Sequence, residues 1–158
     1  MYDHDTAPAS APSAAIFDLS EIATNDTGTL AIRHPVTGEP TSWVLTLAGP
    51  GHPAYEEWTA EGQREAARKA RAIEQARANG KKWKAEEADV EEEERKARIR
   101  LSRIILGWTP VRVDGADFPY SRQSAEDLCV APRWGKVRAQ VLEYLNDEKA
   151  FTMRSVTA

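Results

Sequence analysis

Residues 101–128, LSRIILGWTPVRVDGADFPYSRQSAEDL, decide how this chain is read. An apolar helix end at Leu101, Ile104, Ile105 and Leu106 runs into Gly107-Trp108, and Val111 and Val113 continue it as a short extended piece. Asp114-Gly115 then turns the chain, and Phe118-Pro119-Tyr120 leads to Ser121, whose hydroxyl suits a helix N-cap. The helix from Ser121 is expected to end near Val130, because Pro132 disfavours its continuation. A last helix follows in RWGKVRAQVLEYLNDEKAF, where Trp134, Val137, Val141, Tyr144, Leu145 and Phe151 recur at helical intervals. These spacings place the tightest core over residues 99–152.

Working towards the N-terminus, a long helix is expected from about Ala85 to Leu106. It opens on an acidic block, Glu86, Glu87, Asp89 and Glu91 to Glu94, and closes on Arg95, Lys96, Arg98, Arg100 and Arg103, an order that complements the helix dipole. Its apolar residues, Val90, Ala97, Leu101, Ile104 and Ile105, gather in the last turns. A preceding helix starts at Pro53, a first-turn proline, and carries a narrow stripe of Tyr55, Trp58, Gly62, Ala66, Ala70 and Ile73 until Asn79-Gly80 stops it. Such a stripe either packs closely against one partner or leaves the helix to propensity and to i, i+4 ion pairs. The short ANGKKWK turn makes the two helices an antiparallel hairpin. Its basic arm and Trp83 could contact phosphate, but the acidic block beside them favours charge pairing within a solvated hairpin.

The N-terminal third has a different period. Leu30 and Ile32, then Trp43, Leu45 and Leu47, alternate with smaller or polar neighbours across PVTGEP, which predicts a β-hairpin ended by GPGHP. A hairpin alone is marginal in water, so its apolar face needs a second surface. His34 and His52 precede prolines near the hairpin ends and read as structural polar residues, since no cysteine or positioned carboxylate completes a ligand set. Residues 1–15, rich in Ala, Pro and Ser, read as a flexible tail, and His4 in it has no second histidine nearby.

The resulting expectation is an α+β, mainly α, protein with four stretches. They are a disordered tail at 1–15, a β-hairpin region at 16–52, a charged helical hairpin at 53–106 and a compact C-terminal helical unit at 107–158.

Composition excludes several classes of function. The formal charge of -4 offers no global basic field for nucleic acid. No apolar run is long enough to span a bilayer, and the N-terminus lacks the basic start and apolar core of a signal peptide. The single cysteine, Cys129, allows no internal disulfide, lies in an apolar helical context and reads as a buried, inert thiol that suits a reducing cytoplasm. No Gly-rich phosphate loop, cysteine-pair metal signature, HExxH or GxSxG occurs. Asp114 and Asp117 beside Tyr120 and Ser121 are ordinary turn residues rather than an acid–base pair. The reading therefore has no catalytic, cofactor-binding or metal-binding residue. Trp108, Phe118, Tyr120 and Trp134 read first as core and second as a peptide-docking surface.

The order of Gly107-Trp108, Asp114-Gly115, Phe118 to Ser121, Trp134 and Ala150-Phe151 resembles the C-terminal part of tail assembly chaperones of long-tailed bacteriophages. Here Pro119-Tyr120-Ser121 stands where Pro-Phe-Ser is commoner. The front is similar to the same family, in which a short acidic-apolar element like FDLSEIATNDTGTLAIRHPVTGEP precedes a strand and a charged, Ala-rich helical segment links the halves. The likeness covers about residues 16–152. It implies a non-enzymatic helper in the host cytoplasm that binds the tape measure protein and recruits tail tube subunits, leaving before the virion is complete. Trp108, Tyr120, Trp134 and Val137 are the expected partner-binding residues. The alternative is a structural minor tail or connector protein retained in the virion, whose hairpin edge would join a neighbour's sheet.

Overall fold

The computed structural model describes residues 16–84, 87–147, 150 and 151, with the side chains of residues 87–89 left aside. The expected tail at 1–15, with His4, lies outside these residues, as do Glu86 and residues 152–158. The architecture is α+β. Strands β1 (Thr27–Arg33), β2 (Pro40–Ala48) and β3 (Ile105–Trp108) form one sheet, and β4 (Arg112–Val113) pairs with β5 (Ala116–Asp117). The helices are α1 (Pro53–Ala78), α2 (Glu87–Ser102), α3 (Arg122–Val130) and α4 (Gly135–Asn146).

β1 and β2 pair antiparallel with Leu30 opposite Leu45 and Gly28 opposite Leu47, so one face of the pair is continuously apolar. A bulge after Ala31 shifts the register, and the Thr41 hydroxyl donates to the Ile32 carbonyl at 2.7 Å there. The reversal between the strands is held by His34, whose Nδ1 accepts from the Val36 N–H at 3.1 Å. Gly38, at φ 74°, supplies the left-handed step that a residue with a Cβ would resist.

The expected helix end at Leu106 is corrected by β3. α2 stops at Ser102, whose hydroxyl donates back to the Ile99 carbonyl at 2.5 Å, and Arg103 and Ile104 close a tight turn onto Arg100 and Leu101. The chain then extends. Leu47 pairs with Ile105 and Thr46 with Gly107, the Ala48 N–H donates to the Ile104 carbonyl at 2.8 Å, and Thr109 takes both the N–H and the carbonyl of Val44. Ile104 and Ile105 fit a helical apolar face as well as a strand, but β-branched residues prefer the pleated surface. The open edge of β2 supplies the hydrogen bonds that decide the matter.

The last helix is also shorter than its periodicity suggested. Pro132–Trp134 form a single 3-10 turn, α4 runs only to Asn146, and Ala150 and Phe151 are buried beyond its end. Phe151 therefore reaches the core by a return of the chain and not by helical phase. Its carbonyl accepts the Asn25 N–H at 2.7 Å, which ties this return to the start of β1.

One core serves both ends of the chain: Ile32, Leu45 and Leu47 from the hairpin meet Leu101, Ile104, Ile105, Leu128, Val141, Leu145 and Phe151. α4 lies on β1 and α3 against α2. Ser121 caps α3 reciprocally with Ser124, as its position in the sequence suggested. Asp114 and Gly115 both take positive φ, 50° and 81°, and make the two-residue β4–β5 turn whose twist matches paired strands.

Candidate functional site

A groove of about 690 Å³ lies between α1, α2 and α4, within the range of ligand pockets. α1 contributes Tyr55, Trp58, Gly62 and Ala66, α2 contributes Ala97 and Leu101, and α4 contributes Leu142. α1 begins sharply because His52 Nδ1 accepts the Ala54 N–H at 3.1 Å and Pro53 is preset for the first turn. None of its residues is buried. A Cβ built at Gly62 would meet nothing within 4 Å, so the narrow stripe of α1 does not close on α2. Leu101 is buried at the groove, whereas Leu142 is 39% exposed in it.

The two arms are tied instead by charge. Arg103 reaches Glu61 at 3.3 Å, and Lys69 stands 5.5 Å over the Trp83 ring. Within the arms, Arg68 pairs with Glu65 at 2.8 Å and Arg98 with Glu94 at 3.8 Å. Exposed pairs of this kind contribute little to stability. The groove's charged side chains are Glu94, Arg98, Arg100 and Arg138, three cations against one anion. Arg138 is positioned by donating to the Cys129 carbonyl at 2.7 Å. An apolar trough with a cationic margin suits an apolar segment that carries acids beside its hydrophobic residues.

The four residues expected at a partner surface lie elsewhere. Trp108 is half-buried at the centre of an aromatic cluster: Phe118 stacks on it with centroids 5.5 Å apart, and Tyr120 and Trp43 meet it edge-on at 5.1 and 5.9 Å. Its indole N–H donates to the Phe118 carbonyl at 3.0 Å. Tyr120 is 38% exposed, and its hydroxyl donates to the Ile105 carbonyl at 2.8 Å. Trp134 and Val137 stand at the start of α4, packed against the core, with the Arg133 guanidinium 4.4 Å from the Trp134 ring. The structure thus joins Trp108 to Tyr120 and places the other pair on a different element. Tyr55, Trp58 and Leu142 line the groove, and the apolar stripe on α1 is the signal in the sequence that points to its first two.

The polar residues singled out in the sequence have structural partners. His34 and His52 each turn a ring nitrogen to backbone N–H groups, and among the described residues no group of three or more His, Cys, Asp or Glu side chains could hold a metal ion. Asp114 is held below the usual carboxylate range by the hydrogen bonds and charge of Arg133, which it meets at 3.1 Å. Among the described residues no helix is long and apolar enough to cross a membrane.

Burial pushes the Cys129 thiol up to about 11. An unfolded cysteine titrates near ~8.5, so the thiolate forms more readily in the unfolded chain. The stabilisation is therefore complete below that pH and is lost as pH rises through the folded value. Unfolding free energy is expected to fall by about 3 kcal/mol by pH 11 through this group alone. Urea titrations across the alkaline range should show a flatter decline in Cys129→Ala. At pH 8 the folded thiol should resist a disulfide reagent that labels it rapidly in denaturant.

The fold is that of a small α+β protein with an open, largely apolar groove. Compared with protein-family models, with curated proteins and with solved structures, the chain matches none.

Proposed function

We propose that this protein is a tail assembly chaperone of a long-tailed bacteriophage. It acts without catalysis in the host cytoplasm, holds amphipathic helical segments of the tape measure protein, and helps bring tail tube subunits to them before departing. The groove between α1, α2 and α4 carries this reading, because a helper for a long, aggregation-prone helical client needs an exposed apolar trough that releases what it holds. The order of motifs from Gly107-Trp108 to Ala150-Phe151 supports the same assignment.

The alternative, a structural tail component joined through a strand edge, is less well supported. Gln140 occupies that edge of β1 by accepting the Arg33 N–H and donating to the Arg33 carbonyl, both at 2.8 Å. Tyr120 likewise occupies the Ile105 carbonyl of β3. Edges blocked in this way resist addition of a neighbour's strand.

Ala66 and Leu142 are both exposed, so Ala66→Glu and Leu142→Asp should leave thermal unfolding nearly unchanged. Each is expected to weaken capture of the tape measure protein by roughly tenfold or more, with Val36→Asp on the hairpin turn as the unaffected control. Normal capture by both groove variants would remove the groove from the mechanism. Quantitative mass spectrometry should find the chain abundant in infected lysate and absent from purified particles; stoichiometric copies in the particle would favour the structural alternative.

A further inference from the structure

Among the described residues nothing covers the apolar element 16–22, IFDLSEI. Ile16 is 87% exposed, Phe17 57%, Leu19 75% and Ile22 63%. Four large apolar side chains within seven residues make a contiguous patch rather than scattered surface hydrophobics. The element is already shaped: Leu19–Ile22 form a 3-10 turn capped by Asp18, whose carboxylate accepts the Ser20 N–H at 3.0 Å and the Ser20 hydroxyl at 2.8 Å. A preformed turn loses less entropy on docking than a flexible tail would.

The same chain carries the complementary surface. The groove is apolar along Tyr55, Trp58 and Leu142 and net cationic, with Arg98, Arg100 and Arg138 against Glu94, which pairs with Arg98, whereas the element is apolar with two acids, Asp18 and Glu21, and no base. Its C-terminal end is fastened to the sheet, because the Gly49 N–H donates to the Asp26 carbonyl at 2.7 Å and the Asn25 N–H donates to Phe151. From that anchorage the element stands in water while the groove of its own chain stays open. The geometry points to a second copy: residues 16–22 of one chain dock in the α1/α2/α4 groove of another, apolar side chains inward and Asp18 and Glu21 towards the groove's arginines.

Donor element and acceptor groove are different surfaces, so the contact is heterologous and propagates into a ring or a short chain. It is small, and small contacts are weak and transient. A tape measure helix would then displace the neighbour's element, although the inference rests on the groove and not on the identity of that client.

Sedimentation equilibrium of the full chain tests it. Mass is expected to rise with concentration from the micromolar to the sub-millimolar range. Phe17→Ser with Leu19→Ser removes the donor, and Leu142→Asp damages the acceptor; each should weaken association roughly tenfold or more. Because these residues are exposed, circular dichroism should match the parent. Mixing the two variants pairs an intact groove with an intact element and should restore a complex that stops at one to one. A parent chain that stays monomeric, or variants that associate as it does, would overturn the proposal. If the parent is monomeric and a synthetic 16–22 peptide binds the donor-deficient variant more tightly than the parent, the element covers its own groove and the second-copy assignment is wrong. Loss of tape measure binding with self-association intact would refute the proposed function alone.

Discussion

Trp108→Ala is expected to lower the unfolding free energy by about 3–5 kcal/mol, measured by urea denaturation followed by circular dichroism. Trp108 holds three other rings together and joins β3 to the loop that follows. It stacks on Phe118, meets Trp43 and Tyr120 edge-on, and donates its indole N–H to the Phe118 carbonyl. Truncation loses the buried area and the aromatic contacts and leaves that carbonyl without its indole partner. Trp43→Phe is the instructive contrast. The Trp43 indole N–H is buried with no hydrogen-bond partner among the described residues, so removing it relieves a desolvation penalty that offsets the lost volume. That change should stay within about 1 kcal/mol of the parent. If Trp108→Ala were instead fully stable, the cluster would be surface dressing, and Trp108 would return as a partner-contact residue.

A comparable loss, about 3–5 kcal/mol, is expected for Phe151→Ala, with a fall in melting temperature on the order of 10 °C. Phe151 is only 4% exposed and meets Tyr144 and Tyr55 edge-on, with centroids 5.2 and 6.2 Å away. Two glycines make room for the ring. A Cβ on Gly49 would come within 2.8 Å of its Cδ1 and would also strike the Asn25 carbonyl, and one on Gly28 would lie 2.9 Å from its Cε1 and against the Tyr144 hydroxyl. The ring thus fills a slot between β1, the end of β2 and α4, and links the chain's return to Tyr55 at the groove. Calorimetry of Phe151→Ala and Phe151→Leu separates slot from ring: the leucine variant should recover part of the stability. A loss below about 1 kcal/mol in the alanine variant would mean that the return is not part of the cooperative core.

The two predictions bear differently on function. Trp108, an expected partner residue, is half-buried on the sheet's third strand and packs against the core. Phe151 was expected on the last helix, and its position beyond α4 makes it a fastener between the two ends of the chain. Neither outcome touches Leu142 or Ala66, whose substitution should alter binding while sparing stability. Core and groove are therefore separable by mutation.

Local chemistry was legible in the sequence wherever one residue type has one strong preference. Asp114-Gly115 gave a two-residue turn because both residues tolerate positive φ. Pro53 after His52 opened α1, Asn79-Gly80 closed it, and Ser121 capped α3, all through backbone groups within four residues. The alternation at Leu45 and Leu47 likewise identified a strand with one apolar face. Tertiary structure decided what those preferences left open. Ile104 and Ile105 satisfy the helical and the extended period equally, and the choice fell to hydrogen-bonding groups on β2, far away in sequence. Phe151, seven residues after Tyr144, keeps helical phase with it on paper, yet its place was set by a slot that Gly28 and Gly49 leave open. The groove is the clearest case: a stripe on α1 states that a helix has an apolar side, but whether a neighbour covers it depends on distances that no single segment encodes.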